Sequence, residues 1–135
     1  MELKRNSNAV FLLNYHIILV VKYRKKIFTN DDIVERTKEL MRKISEQNNV
    51  EVINQECGED HMHLMVSTKP TCDLTKYINL LKGHSSRALR KEFKEELESK
   101  LYGDSFWSDS YYLATAGNVS LDTLYNYIDN QRKKL

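Results

Sequence analysis

The run His61-Met62-His63-Leu64-Met65-Val66 is short and alternating and contains neither Gly nor Pro. Such a run predicts a β-strand. Successive side chains on a strand point to opposite faces. Met62, Leu64 and Val66 therefore share the face that must be buried, and His61 and His63 share the other. A chain built around this strand needs a sheet covered on one side, with two imidazoles on the other. Two imidazoles on a rigid strand form half of a divalent-metal site.

The surrounding segments supply the rest of such a sheet. Val50 to Gln55 predicts a strand that pairs with the histidine strand as an antiparallel hairpin, through the acidic turn Gly58-Glu59-Asp60. Val10 to Tyr23 is rich in Val, Ile, Leu and Tyr and predicts a long first strand. Asp31 or Asp32 can cap a helix running to about Gln47, with Ile33, Leu40, Met41 and Ile44 as its apolar stripe. After Pro70 and Thr71 a second helix is predicted over about Leu74 to Leu89, with a charged continuation toward Leu101. Phe106 to Ala116 reads as a further strand, ended by Gly117-Asn118. A last helix follows from Val119 or Ser120 to about Lys133; Asp122 in its first turn and Arg132, Lys133 and Lys134 in its last suit the helix dipole.

The order β-α-β-β-α-β-α specifies an α+β chain. Its first six elements are those of a ferredoxin-like or RRM-like antiparallel sheet with helices on one face, to which a C-terminal helix is added. At 135 residues the whole chain, 1–135, is expected to be one domain. The topology carries many functions, so chemistry must come from particular residues.

Composition excludes several classes. No run approaches the roughly 18 apolar residues of a membrane span, and the charged first residues hold no secretory apolar segment. Cys57 and Cys72 form no ligand motif and are too few for a disulfide framework. A cytoplasmic protein without membrane contact is expected. The net charge of +2 does not announce a nucleic-acid binder, so such a role must rest on local clusters.

The last predicted helix adds chemistry. Tyr127 and Gln131 are four residues apart and share a helix face. A phenol oxygen can attack a phosphodiester to give a covalent phosphotyrosine. A divalent cation polarises phosphoryl oxygens and orients the bond for in-line displacement. Gln131 Oε1 could complete a His-His-Gln set with His61 and His63. That mixed N/O set suits Mn²⁺ and accepts Mg²⁺, and lacks the thiolates or third His of a tight zinc site.

Five ordered segments carry a resemblance that spans nearly the whole chain. They are Tyr15-His16-Ile17 leading to Lys22-Tyr23-Arg24; Asp60-His61-Met62-His63-Leu64; Lys82-Gly83-His84-Ser85-Ser86-Arg87; Phe106-Trp107-Ser108 followed by Tyr111-Tyr112; and Tyr127-Ile128-Asp129-Asn130-Gln131. Together they resemble the single-tyrosine HUH transposases of small bacterial insertion sequences, the IS200-like family, in which two His flank a bulky apolar residue. The resemblance implies cleavage and rejoining of single-stranded DNA next to hairpin ends. Tyr127 would be the nucleophile, His61, His63 and Gln131 the ligands of Mg²⁺ or Mn²⁺, and a 5′-phosphotyrosine the intermediate. It further implies a homodimer in which the Tyr127 helix of one subunit completes the histidine site of the other.

Local clusters offer material for DNA binding. Lys22, Arg24, Lys25 and Lys26 interleave with Tyr23, and Lys82, Ser85, Ser86, Arg87 and Lys91, with Arg90, lie on the second predicted helix. Such residues contact phosphates and give salt-dependent affinity. Tyr23, Trp107, Tyr111 or Tyr112 could stack unpaired bases or pack in the sheet. His16 is expected in the core or behind the metal ligands, and Asp60 either caps its turn or orients a histidine. Two other readings compete: a domesticated relative acting on repeat hairpins with the same chemistry, and a non-catalytic hairpin-binding module. The end of the chain four residues after Gln131 favours the plain transposase over relatives with longer tails.

Overall fold

The computed structural model describes residues 4–5, 10–101, 103, 105–116 and 128–130. Along the chain run β1 (Lys4–Arg5), β2 (Val10–Phe11), β3 (Asn14–Val20), a 3-10 turn (Lys22–Arg24), α1 (Asp31–Gln47), β4 (Glu51–Cys57), β5 (His61–Ser67), α2 (Leu74–Glu92), α3 (Lys94–Glu98) and β6 (Tyr112–Thr115). β1 and β2 form a small antiparallel ribbon. The other four strands form one sheet in the order β4-β5-β3-β6, with every neighbour antiparallel. β3 and β5, the first and third of the four along the chain, are central, which is the split βαβ, ferredoxin-like arrangement.

One face of the sheet carries the main core. Ile17, Leu19 and Val21 from the β3 segment and Met62, Leu64 and Val66 from β5 pack there with Ile33, Leu40, Met41 and Ile44 of α1 and Tyr77, Ile78, Leu81 and Leu89 of α2. The two helices are also joined by a hydrogen bond between Ser45 Oγ and Tyr77 Oη of 2.6 Å. Register follows from this burial. Slipping β5 by one residue would expose Met62, Leu64 and Val66, at roughly 1.5–3 kcal/mol each, and bury both histidines. In the native register Ile18 pairs with His63 and Val20 with His61. Among the described residues no helix is long and apolar enough to cross a membrane.

Several predicted boundaries move, each for a physical reason. The long first strand is broken into β2 and β3 and ends at Val20. Beyond it Val21 makes only an isolated bridge to Trp107, and the chain turns through Tyr23 and Arg24 in the left-handed region, at φ 58° and 49°. The cap of α1 is Asn30, whose side chain accepts from the amides of Asp32 and Ile33; Asp31 and Asp32 sit in the first turn instead. The charged continuation of α2 is a separate short helix, α3, beginning after Phe93 leaves helical geometry. The strand expected over 106–116 is shortened to Tyr112–Thr115. Phe106 and Trp107 are drawn into the core against Phe28, with ring centroids 6.4 and 5.8 Å from it. Of the last predicted helix, residues 128–130 are described and are helical.

Candidate functional site

The face of the sheet opposite α1 and α2 carries His16 from β3 and His61 and His63 from β5. All three are half-buried. Asp60, the last residue of the hairpin turn, fixes His61: the Nδ1–H donates to Asp60 Oδ1 at 2.9 Å. The other carboxylate oxygen accepts from Arg24 Nε at 2.7 Å. Burial alone would push the Asp60 carboxyl up, but hydrogen bonds from His61 and Arg24, with the charges of both, outweigh it and hold its pKa below the ordinary carboxylate value. Gly58 completes the cradle. A Cβ there would overlap the His61 ring, so only glycine lets the imidazole lie over the turn. With Nδ1 engaged by Asp60, Nε2 is the His61 nitrogen left for a cation or a phosphate.

His63 is held differently. Its Nε2 lies 3.0 Å from His16 Nδ1, so one of these nitrogens donates and the other accepts. The two rings are tilted by 39° with centroids 5.1 Å apart. Burial lowers the His63 pKa, and the nearby imidazoles of His16 and His61 lower it further against the opposing charge of Glu56. His63 is therefore a neutral imidazole at neutral pH, which is the form that binds metal. His16 thus touches a proposed ligand directly. The strand period already places it on the face of Ile18 and Val20; its contact across 47 residues is what the sequence does not display.

The donor set fits a divalent cation in part. Two imidazoles supply two ligands, and among the described residues no group of three or more His, Cys, Asp or Glu is arranged to hold a metal ion. The expected third ligand, Gln131, and the expected nucleophile, Tyr127, lie outside the described residues. Their neighbour Ile128 is described. It is buried, in a small cluster with Ile18 and Val20 against which Tyr112 packs. Ile18 and Val20 are the register partners of His63 and His61, so this helical segment sits on the histidine face.

The basic residues separate into distinct roles. Lys22 pairs with Asp109 at 3.5 Å and lies 5.5 Å from the Tyr23 ring centroid. Tyr23 is 51% exposed. Arg24 is committed to Asp60, and Lys26 faces Glu59 at 3.6 Å. Tyr23, Arg24 and Lys26 border a cavity of about 730 Å³ that is also lined by Lys25 and, two residues beyond α3, Lys100. Lys100, 74 residues away from Lys26, escaped the sequence reading. On α2, Lys82 Nζ donates to the Asp109 carbonyl at 3.2 Å, and burial lowers its pKa against the favourable charge of Asp109. Arg87 and Lys91 are exposed, and Ser86 Oγ donates to the Gly83 carbonyl at 3.0 Å. Ser85, expected as a phosphate contact, is fully buried: its hydroxyl donates to the Leu81 carbonyl at 2.5 Å and accepts from Trp107 Nε1 at 3.0 Å. Ser85 and Trp107 therefore pack α2 against the 106–108 segment and offer DNA no surface.

The family model described as "Transposase IS200 like" matches residues 9–131. The ISDra2 transposase TnpA of Deinococcus radiodurans is 32% identical over 134 residues, covering 99% of this chain and 94% of its own length. The transposase for insertion sequence element IS200 of Salmonella typhimurium is 31% identical over 117 residues, covering 87% of this chain and 75% of its own. Among solved structures, a Deinococcus radiodurans protein assigned as a transposase superposes with a TM-score of 0.86 at 28% identity, over 95% of this chain and 97% of that one. A REP-associated tyrosine transposase bound to a REP hairpin superposes with a TM-score of 0.59 at 10% identity, over 93% of this chain and 68% of that one, a likeness of fold.

Proposed function

The chain belongs to the IS200-like transposase family, and from that premise we propose that it cuts and rejoins single-stranded DNA beside hairpins at insertion-sequence ends, with Tyr127 as nucleophile. In the first step the Tyr127 oxygen bonds to phosphorus while the bond from phosphorus to the 3′ oxygen breaks. The tyrosine proton is lost to a base, and the departing 3′ oxygen takes up a proton to become a free 3′-OH. The product is a 5′-phosphotyrosine, which keeps the phosphodiester energy. In the second step a different 3′-OH attacks that phosphorus and Tyr127 leaves, so ends are rejoined without ATP.

His61, His63 and Gln131 are the residues that would hold Mg²⁺ or Mn²⁺. A bound cation would polarise the phosphoryl oxygens and set the line of displacement. The chain's own contribution is orientation. Asp60 and Gly58 set the His61 ring, and His16 sets the His63 ring. Arg87, Lys91 and the residues around Tyr23 are the candidate phosphate contacts, which fix register and give salt-dependent affinity. The observation that carries this reading is one juxtaposition. Two braced imidazoles lie on the face of the sheet opposite α1 and α2, and Ile128, the residue after Tyr127, is buried against their register partners.

A homodimer with sites shared between subunits is part of the proposal. A second reading, with each site built inside one chain, is favoured by the packing of Ile128 on Ile18 and Val20 of its own chain. Mixing a Tyr127→Phe protein with a His63→Ala protein separates the two, because only shared sites restore cleavage. The central test is covalent capture. Wild-type protein incubated with hairpin DNA carrying a single-stranded flank and Mn²⁺ should give an adduct that survives denaturation. Tyr127→Phe should bind the hairpin and give none. An adduct formed by the Phe variant would remove Tyr127 as the nucleophile, and full activity in excess EDTA would remove the metal.

A further inference from the structure

The turn after β3 is the least expected piece of backbone in the chain. Tyr23 and Arg24 are consecutive non-glycine residues in the left-handed region, at φ 58° and 49°. That conformation is costly for a bulky side chain and persists only where its surroundings over-determine it. Three bonds do so here. Arg24 Nε donates to Asp60 at 2.7 Å, the Arg24 amide to the Val21 carbonyl at 2.8 Å, and the Lys22 amide to the Phe106 carbonyl at 2.9 Å. The strain leaves the Tyr23 ring half in solvent at the rim of the cavity of about 730 Å³. Of the other eight lining residues four are cations, Arg24, Lys25, Lys26 and Lys100, and one, Glu98, is an acid. Lys100 Nζ donates to the Lys26 carbonyl at 3.4 Å and closes the end of α3 onto the turn.

An exposed aromatic edge over a basic floor suits a ligand that is flat on one side and anionic on the other. Bases stacked in a duplex cannot present that combination, whereas an unpaired nucleotide does. The location agrees. Arg24 lines the cavity and bonds Asp60, and Asp60 bonds His61, so two side-chain contacts join the cavity to the histidine face. We propose that this cavity seats one unpaired nucleotide of the bound strand, its base against Tyr23 and its phosphate among Lys26 and Lys100. The inference rests on the single-stranded DNA reading above and adds a subsite, with Lys100 as a contact from the distant turn after α3.

The test measures binding in EDTA, where no cleavage intervenes, by fluorescence anisotropy. It uses a blunt DNA hairpin and the same hairpin with an unpaired tail. Tyr23→Ala should weaken binding of the tailed hairpin roughly 5- to 100-fold and of the blunt hairpin less than about twofold. Lys100→Ala should lower the salt slope for the tailed probe by about one. Tyr23→Gly separates function from folding. Relief of the left-handed strain should raise the thermal midpoint by about 2–4 °C while tailed binding falls as in the Ala variant. Tailed binding unchanged in Tyr23→Gly, or equal losses on both probes, would overturn the subsite and leave the transposase reading standing. Failure of the wild-type protein to bind either probe would overturn that reading and the subsite with it.

Discussion

Replacing Asp60 with Asn should loosen the fold and the site together. The Asp60 and Arg24 side chains are 9% and 12% exposed and meet at 2.7 Å. Removing one partner of a buried pair leaves the other charge uncompensated, at about 3–5 kcal/mol. Arg24 keeps an edge toward solvent, which argues for the lower end, near 3 kcal/mol. Its Nη1 is already buried without a hydrogen-bond partner among the described residues, so little is available to replace the lost acceptor. For a chain of this length that loss lowers the melting midpoint by about 10 °C. Urea unfolding followed by the fluorescence of Trp107, the only tryptophan, measures it directly. The effect depends on pH with a definite sign. The folded Asp60 pKa lies below its ordinary 3.8, so the stabilisation is present above about pH 3.8 and is lost as the pH falls through the folded value. The difference between wild type and Asp60→Asn should accordingly shrink in strong acid. A double-mutant cycle with Arg24→Gln should return a coupling of about 2 kcal/mol. Additive single mutants, or a loss under 1 kcal/mol at neutral pH, would refute the idea that this pair braces the turn.

Gly58→Ala should displace the His61 ring, because the new methyl occupies its place; overpacking of this kind costs about 1–3 kcal/mol, and Mn²⁺ affinity measured by electron paramagnetic resonance should fall at least about tenfold. His63 should titrate below its ordinary 6.5 in imidazole NMR spectra, since burial leads and the neighbouring imidazoles add to the lowering. That contribution to stability is intact above pH 6.5 and declines as the pH falls below it, because the unfolded chain takes up the proton first. Ser85→Ala should cost about 1 kcal/mol through the lost Trp107 hydrogen bond and leave hairpin affinity unchanged; a selective loss of DNA binding would restore Ser85 as a phosphate contact.

The legible parts of this molecule are those set by local period. Met62, Leu64 and Val66 alternate with His61 and His63, and burial on one face fixes the register that the alternation implies. The apolar stripe of α1 is equally local, and its four named residues are all in the core. What escaped depends on contacts between distant residues. The left-handed turn at Tyr23 and Arg24 is stable because Asp60, 36 residues further on, supplies the acceptor. Trp107 sits in a segment with strand-like composition, yet its indole is drawn to Ser85 on α2, which removes both from the surface. A serine in a basic helix reads as a phosphate contact until the helix face toward the core is known. The choice of Asn30 over Asp31 as the cap of α1 is a shift of one residue between similar side chains, which composition does not resolve.

The face of the sheet away from α1 and α2 keeps two imidazoles half-exposed and still buries a helical residue beside them. Ile18 and Val20 are each 1% exposed although no helix of the main core covers them. Among the described residues their cover is Ile128, with Tyr112 packed at the side. Burying such side chains is worth roughly 1.5–3 kcal/mol each. Residue 128 is therefore held by apolar burial that requires neither metal nor DNA. The same strand pair presents apolar residues at 18 and 20 and imidazoles at 63 and 61, directly across the register. One patch anchors the helical segment and the adjacent patch stays polar and half-open. Burial at 128 thus places the residue after the proposed nucleophile against the register partners of the imidazoles. The polar half of the face is left for the chemistry.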